Sequence, residues 1–297
     1  MKIVFLGTGS MQPTKERNLS ATYFNYESEH MLIDCGEGTQ RQMKIAGIAP
    51  TKLTRIIISH FHADHVLGLG GILRNLEANQ YSKTLFIYGP KGLEKFFQNI
   101  VNSAYASPTI KIKLIEIKEG VIIDEEKFKL EAFLLDHSVP SFGFRFEEKA
   151  KRKIDLVYLK KFELKQHPLL GDLQRGKDII WEGKKILAKK ATKIVKGKVI
   201  SFICDTGYNP KLIKLAKDSD LLISESTFSV KEKEKARGYK HLTSVDAATI
   251  AKKAKVKKLV LTHFSQRYKE VKELEKEAKE IFPNVICAQD FLEIDNF

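Results

Sequence analysis

Cysteine is scarce in this chain: its 297 residues include three, Cys35, Cys204 and Cys287. The odd number excludes a fully paired disulfide framework. Each thiol lies in or beside an apolar stretch, so buried, reduced cysteines and a cytoplasmic setting are expected. Long apolar runs are missing too. None reaches the roughly 18 residues that a membrane span requires, so no membrane partner is expected. The opening run Met1-Lys2-Ile3-Val4-Phe5-Leu6 ends in a glycine turn and is too short for a signal-peptide core. No short repeat is found; the two halves share only a loose echo, each closing its strands on acidic or histidine residues. Acidic residues are in deficit, 37 against 51 Lys and Arg, for a formal charge of +14.

The excess charge is concentrated. Residues 151–198 hold 15 Lys or Arg and five Asp or Glu, a net +10 in about a sixth of the chain. A lysine-rich surface laced with ion pairs carries both signs together, as residues 269–280 do. The lysines of 151–198 have too few acidic residues among them for such a network. With Gly171, Gly176 and Gly183, the segment reads as an inserted, partly exposed basic arm. An unpaired basic projection suits a polyanion. Its grip would be on backbone and shape, with marked salt dependence, as for double-stranded RNA.

Before the arm, apolar periodicity predicts strands over residues 3–7, 21–26, 30–34, 55–59, 84–88 and 110–117, and helices over 40–46, 69–79 and 93–105. After it, strands over 199–204, 221–225, 258–262 and 285–294 alternate with helices over 210–217, 245–254 and 271–281. Asn209-Pro210 and Thr243-Ser244 are suitable helix starts. This alternation predicts one large α/β domain over residues 1–297, an αββα sandwich of two mixed sheets with helices outside.

The chemistry concentrates where strands end. His60-Phe61-His62-Ala63-Asp64-His65 follows the aliphatic run Ile56-Ile57-Ile58 and places four metal-ligand side chains within six residues. Imidazole with carboxylate suits zinc and similar ions. In an extended stretch His60 and His62 share a face, and the turn that follows can swing Asp64 and His65 toward a second ion. Two metals in one pocket suit phosphoester hydrolysis. Further apolar strands finish on His137, Asp205 and His263. Cys204 adjoins Asp205, but alternation points it to the opposite face.

In their order and intervals these motifs resemble the metallo-β-lactamase superfamily. The resemblance implies that His60, His62 and His137 hold one zinc, that Asp64, His65 and His263 hold another, and that Asp205 bridges them. Three further motifs resemble the tRNase Z family, the tRNA 3′-processing endonucleases: Pro13-Thr14-Lys15-Glu16-Arg17-Asn18, Asp34-Cys35-Gly36-Glu37-Gly38-Thr39-Gln40, and His263-Phe264-Ser265-Gln266-Arg267-Tyr268. The similarity covers nearly the whole chain at the length of the short form. Two places depart from the family pattern. Ser224 stands where the family has His in Ser224-Glu225-Ser226-Thr227-Phe228, and His167-Pro168-Leu169-Leu170-Gly171 lacks a glycine of the usual arm.

The resemblance implies two Zn²⁺ per subunit with Mn²⁺ as a substitute, precursor tRNA as partner, and a homodimer. Asp64 would orient the nucleophile as well as bind metal. His241 would protonate the leaving 3′-oxygen, and Glu225 would orient His241 and raise its pKa. Lys15, Arg17 and Asn18 would meet the acceptor end, and Gly171 and Gly176 belong to the arm that grips the tRNA body. Three alternatives stay open: a broader zinc phosphodiesterase or nuclease acting on other RNAs or cyclic nucleotides, a thioester hydrolase, and a non-catalytic RNA-binding subunit. The thioester reading calls for a C-terminal extension past the last ligand, and the subunit reading for lost ligands.

Overall fold

Strands whose two faces are both apolar must be covered on both sides, and this requirement sets the architecture of the computed structural model, which describes residues 1–103, 109–295 and 297. Among the described residues, one seven-stranded sheet runs in the order Glu293–Asp295, Lys2–Gly7, Ala21–Tyr26, Glu29–Ile33, Arg55–Ile57, Thr84–Gly89, Lys111–Glu116. The other runs Val285–Cys287, Lys258–Thr262, Leu221–Glu225, Val199–Ile203, Ser141–Glu148, Phe128–Leu135, Gly120–Asp124. Along Lys2–Gly7, Val4 and Leu6 turn outward to a core shared with Leu69, Ile72 and Leu73 of helix Leu69–Ala78 and with Leu93 and Phe97 of helix Leu93–Asn102. Facing residues pack between the sheets, where the Phe24 and Phe202 rings lie 6.2 Å apart. Helices Lys211–Ala216, Ser244–Lys253 and Lys272–Ile281 cover the second sheet through Leu212, Leu215, Ala247, Ala251, Leu274 and Ala278. The result is the αββα layering expected from the sequence.

Helix Ser244–Lys253 starts where expected: Thr243 Oγ1 accepts from the Asp246 N–H, and the Asp246 carboxylate accepts from the Thr243 N–H, a capping box. The expected strand over 285–294 is two strands in different sheets. After Cys287 the chain crosses over: the Ala288 N–H bonds Leu261 O in one sheet (2.8 Å) and the Phe291 N–H bonds Phe5 O in the other (2.7 Å). Apolar periodicity says nothing about which sheet a residue joins, so the crossing left no trace in it. Helix Leu93–Asn102 is shorter than the expected 93–105, and residues 104 and 105 of that expectation lie outside the described residues. Gly120–Asp124 and Ser141–Glu148 are strands that the periodicity did not indicate.

By contact the chain divides into two units, Met1–Ile122 with Glu131–Arg145 and Ile200–Phe297, and Ile123–Leu130 with Phe146–Val199. The second unit contains the basic segment. It pairs Lys151–Ile154 with Thr192–Val195 and Ile179–Trp181 with Lys184–Ile186, both antiparallel. It also buries an apolar cluster of its own, Leu159, Leu164, Leu173, Ile179, Ile186, Ala188 and Ala191. Among the described residues, no helix is long and apolar enough to cross a membrane.

Candidate metal centre

Strands Val199–Ile203, Leu221–Glu225 and Lys258–Thr262 are parallel, so their C-terminal ends share one edge of the sheet. Asp205 and His263 stand just past two of those ends, and His137 just past Phe128–Leu135. From the other sheet, the chain leaves Arg55–Ile57 through buried Ser59 and His60. His62 is the extended N-cap of the single-turn helix Ala63–Val66, which carries Asp64 and His65. His263 has φ 60° and Met11 φ 61°. Such left-handed backbone costs a non-glycine residue roughly 1–3 kcal/mol and concentrates at functional sites. Here it aims an imidazole inward at one position and, at the other, the Met11 N–H at Asp64 Oδ2, 2.7 Å away.

Among the described residues, ligand atoms gather in two groups with no shared member, His60, His62, His137 and Asp205 in one and Asp64, His65 and His263 in the other; a third group, Asp205, His241 and His263, overlaps them; within each, one ligand atom per residue lies within 4.8 Å of all the rest. His60 Nε2 and His137 Nε2 lie 3.0 and 3.2 Å from His62 Nδ1. His65 Nε2 is 3.2 Å from His263 Nε2, and each is 3.5 Å from Asp64 Oδ2. Asp205 reaches both groups: Oδ2 is 3.8 Å from His60 Nε2 and 3.4 Å from His65 Nε2, and Oδ1 is 3.4 Å from His263 Nε2. Asp205 Oδ1 is nevertheless buried without a hydrogen-bond donor among the described residues. Nitrogen facing nitrogen beside an orphaned carboxylate oxygen is a set of converging lone pairs. A divalent cation satisfies it; proton sharing alone does not. Cys204 joins neither group.

Electrostatics favour the same outcome. Burial, reinforced by neighbouring imidazoles, lowers the pKa of His60 to about 2, and burial lowers His62 and His137 as well, so these rings are neutral donors of lone pairs. Burial opposes charge on Asp64 and Asp205, but the surrounding histidines outweigh it and hold both carboxyls below their ordinary range. His65 is likewise penalised by burial, yet Asp205 and Asp34 raise its pKa well above the usual value. Such a site attracts positive charge.

Four of the five ligand rings are oriented from behind, and the hydrogen-bond network assigns their tautomers. Asp34 Oδ2 accepts from His65 Nδ1–H (2.8 Å) and from Ser59 Oγ–H (2.8 Å), and Asp34 Oδ1 accepts from the Ser59 N–H (2.7 Å). Ser59 Oγ accepts from His60 Nδ1–H (2.9 Å). The Lys240 carbonyl accepts from His137 Nδ1–H (3.1 Å). Thr227 Oγ1 donates to Glu225 Oε2 (2.7 Å) and accepts from His263 Nδ1–H (2.9 Å). In a neutral ring so held, the nitrogen facing the centre keeps its lone pair. Asp34 and Thr227 lie in motifs the sequence displays, but their orienting role, and that of Ser59, was not read from it. The Lys240 carbonyl has no side-chain signature at all.

Beside the centre, His241 Nδ1–H donates to Glu225 Oε1 (3.0 Å) and lies 3.9 Å from Asp205 Oδ2. Burial would lower its pKa, but Glu225 and Asp205 outweigh it and raise it to about 9. Glu225 is fixed by the Thr206 N–H (2.9 Å) and the Thr227 N–H (3.2 Å). Lys15 is exposed on the loop after Gly9–Ser10. Arg17 is buried, its guanidinium bonded to the carbonyls of Tyr268 and Lys269. Asn18 bonds Glu37 O through Nδ2 (2.9 Å) and Asp290 Oδ2 through its N–H (2.7 Å). These last two side chains therefore tie motif loops together. Gly171 lies in helix Leu170–Gln174 of the second unit, and Gly176 follows it with φ 83°.

Residues 1–167 match the family model described as Anti-Pycsar protein Apyc1. Ribonuclease Z of Ignicoccus hospitalis is 37% identical over 293 residues, 99% of this chain and 97% of that protein. Human tRNase Z, short form, is 29% identical with a TM-score of 0.72, covering 99% of this chain and 99% of its own. The metallo-β-lactamase fold protein YhfI of Bacillus subtilis shares the fold at 21% identity, also with a TM-score of 0.72, over 99% of this chain and 98% of its own. The chain belongs to the family covered by that model and, over nearly its whole length, to the ribonuclease Z family of metallo-β-lactamase-fold hydrolases.

Proposed function

We propose that the protein is a zinc endoribonuclease that removes the 3′ trailer from precursor tRNA by phosphodiester hydrolysis, leaving a 3′-hydroxyl on the tRNA. The observation that carries this reading is the convergence of seven ligand side chains into two adjoining groups with Asp205 reaching both. His60, His62 and His137 hold one ion, Asp64, His65 and His263 the other. Zinc bound there supplies Lewis acidity toward the phosphoryl oxygens and acidifies water for attack, with manganese as a substitute. Asp64, fixed by the Met11 N–H, orients the attacking water. His241, steered by Glu225, delivers a proton to the departing ribose 3′-oxygen. Lys15 meets phosphate near the acceptor end, on a loop that Arg17 and Asn18 anchor. The basic segment 151–198, with Gly171 and Gly176, grips the tRNA body within a cytoplasmic homodimer.

The test is incubation of the zinc-loaded protein with a transcript carrying a 3′ trailer, followed by mapping of both ends. Cleavage beside the last tRNA nucleotide with a 3′-hydroxyl is expected, and an intact transcript refutes the reading. A broader phosphodiesterase is the second reading, because the ligand set by itself selects no base. Hydrolysis of cyclic nucleotides in preference to the transcript would favour it.

A further inference from the structure

We propose that Tyr239, with Tyr208 beside it, forms a stacking platform for the nucleobase on the 5′ side of the scissile phosphate, an inference resting on the proposed role of His241 as proton donor. Tyr239 is the last residue of helix Lys233–Tyr239. Lys240 then takes a left-handed φ of 56°, and the His241 N–H bonds back to Ala236 O at 2.8 Å, so the turn places Tyr239 and His241 close together. The Tyr239 side chain is exposed, at 65%, yet it is not loose. Its ring lies nearly parallel to that of buried Phe228, with centroids 6.4 Å apart and planes 17° apart. Phe228 in turn meets His241 at 6.0 Å and the Arg267 guanidinium at 5.0 Å, and Arg267 is paired with Glu232. A packed ring therefore backs an aromatic surface open to solvent, next to the proton donor.

Tyr208 is the second exposed ring, at 41%. It follows Gly207, where an added Cβ would lie 3.7 Å from Lys240 Cα, so the backbones carrying the two tyrosines meet beside His241 and Asp205. Two exposed aromatics at this point contribute little to the core, and every base has a π-face on which such rings stack without sequence preference. His241 protonates the 3′-oxygen of the last nucleotide kept on the product, and that nucleotide's base is the one nearest Tyr239.

The experiment uses the zinc-loaded full chain and a trailer-bearing tRNA, either intact or abasic at its last retained nucleotide. On the intact transcript, Tyr239→Ala should lower kcat/KM by about 5- to 150-fold, the range of one lost stacking contact. Tyr239→Phe and Tyr239→Trp should restore it. On the abasic transcript, wild type and Tyr239→Ala should agree within about twofold. An equal loss on both transcripts, or none on either, overturns the platform. A wild-type enzyme that leaves the intact transcript whole overturns the reading of the site itself.

Discussion

Replacing Asp34 by Asn tests how the second group of ligands is held. Asp34 is buried and accepts three hydrogen bonds, from the Ser59 N–H, Ser59 Oγ–H and His65 Nδ1–H, at 2.7–2.8 Å. Its φ of 58° lies in the left-handed region, which Asn tolerates as well as Asp, so the exchange leaves the backbone unstrained. The amide oxygen of Asn can still accept from the Ser59 N–H, but its NH₂ then faces His65 Nδ1–H, donor against donor. The clash is relieved when His65 moves its proton to Nε2, the nitrogen 3.2 Å from His263 Nε2, which removes the lone pair from the metal side. Changes to such outer partners cost about 10- to 100-fold in metal affinity, roughly 1.4–2.8 kcal/mol. Zinc competition against a chromogenic chelator reads this directly, with circular dichroism to verify the fold. Wild-type zinc affinity in a folded Asp34→Asn protein would refute the argument that this carboxylate sets the His65 tautomer.

His241→Ala should lower kcat on RNA by about 10²- to 10⁴-fold, and much less on a p-nitrophenyl phosphodiester whose leaving group needs no proton; equal losses would remove His241 from proton transfer. Burial would raise the pKa of Glu232, but Lys235, Tyr268 and Arg267 outweigh it and lower the group from 4.5 to about 2. A depressed carboxyl stabilises the fold above its unfolded value and stops doing so as pH falls through the folded one. The stability gap between wild type and Glu232→Gln in urea melts should therefore be full above about pH 4.5 and close toward pH 2. A gap independent of pH would count against that network. Deleting residues 155–195 should spare hydrolysis of a small phosphodiester and cripple tRNA processing, and parallel loss of both activities would make the basic segment structural.

Much of the layering was legible because two-faced apolar strands and one-faced helices have different periods, and Thr243-Ser244 announced its helix start through capping chemistry. The candidate ligands stood out because imidazole and carboxylate at strand ends have few other uses in such a pattern. What escaped was whatever depends on neighbours remote in sequence. The sheet crossing at Ala288 to Phe291 depends on Leu261 and Phe5. The apolar cluster of the second unit is hidden among lysines, since its members are scattered singly between 159 and 191. Arg17 was expected to meet the acceptor end from its motif, but its guanidinium bonds carbonyls some 250 positions away.

The amino-acid order by itself fixed which side chains can bind a cation and where most of the local strands and helices lie, because those follow from residue chemistry and short-range periodicity. Only tertiary packing decided how they work together: which imidazole nitrogen carries a proton, that Asp205 reaches both ligand groups, and that Glu225 meets His241. Those outcomes are set by hydrogen bonds and Coulomb forces between residues 16 to 198 positions apart, and such forces exist only once the sheets have brought their ends together.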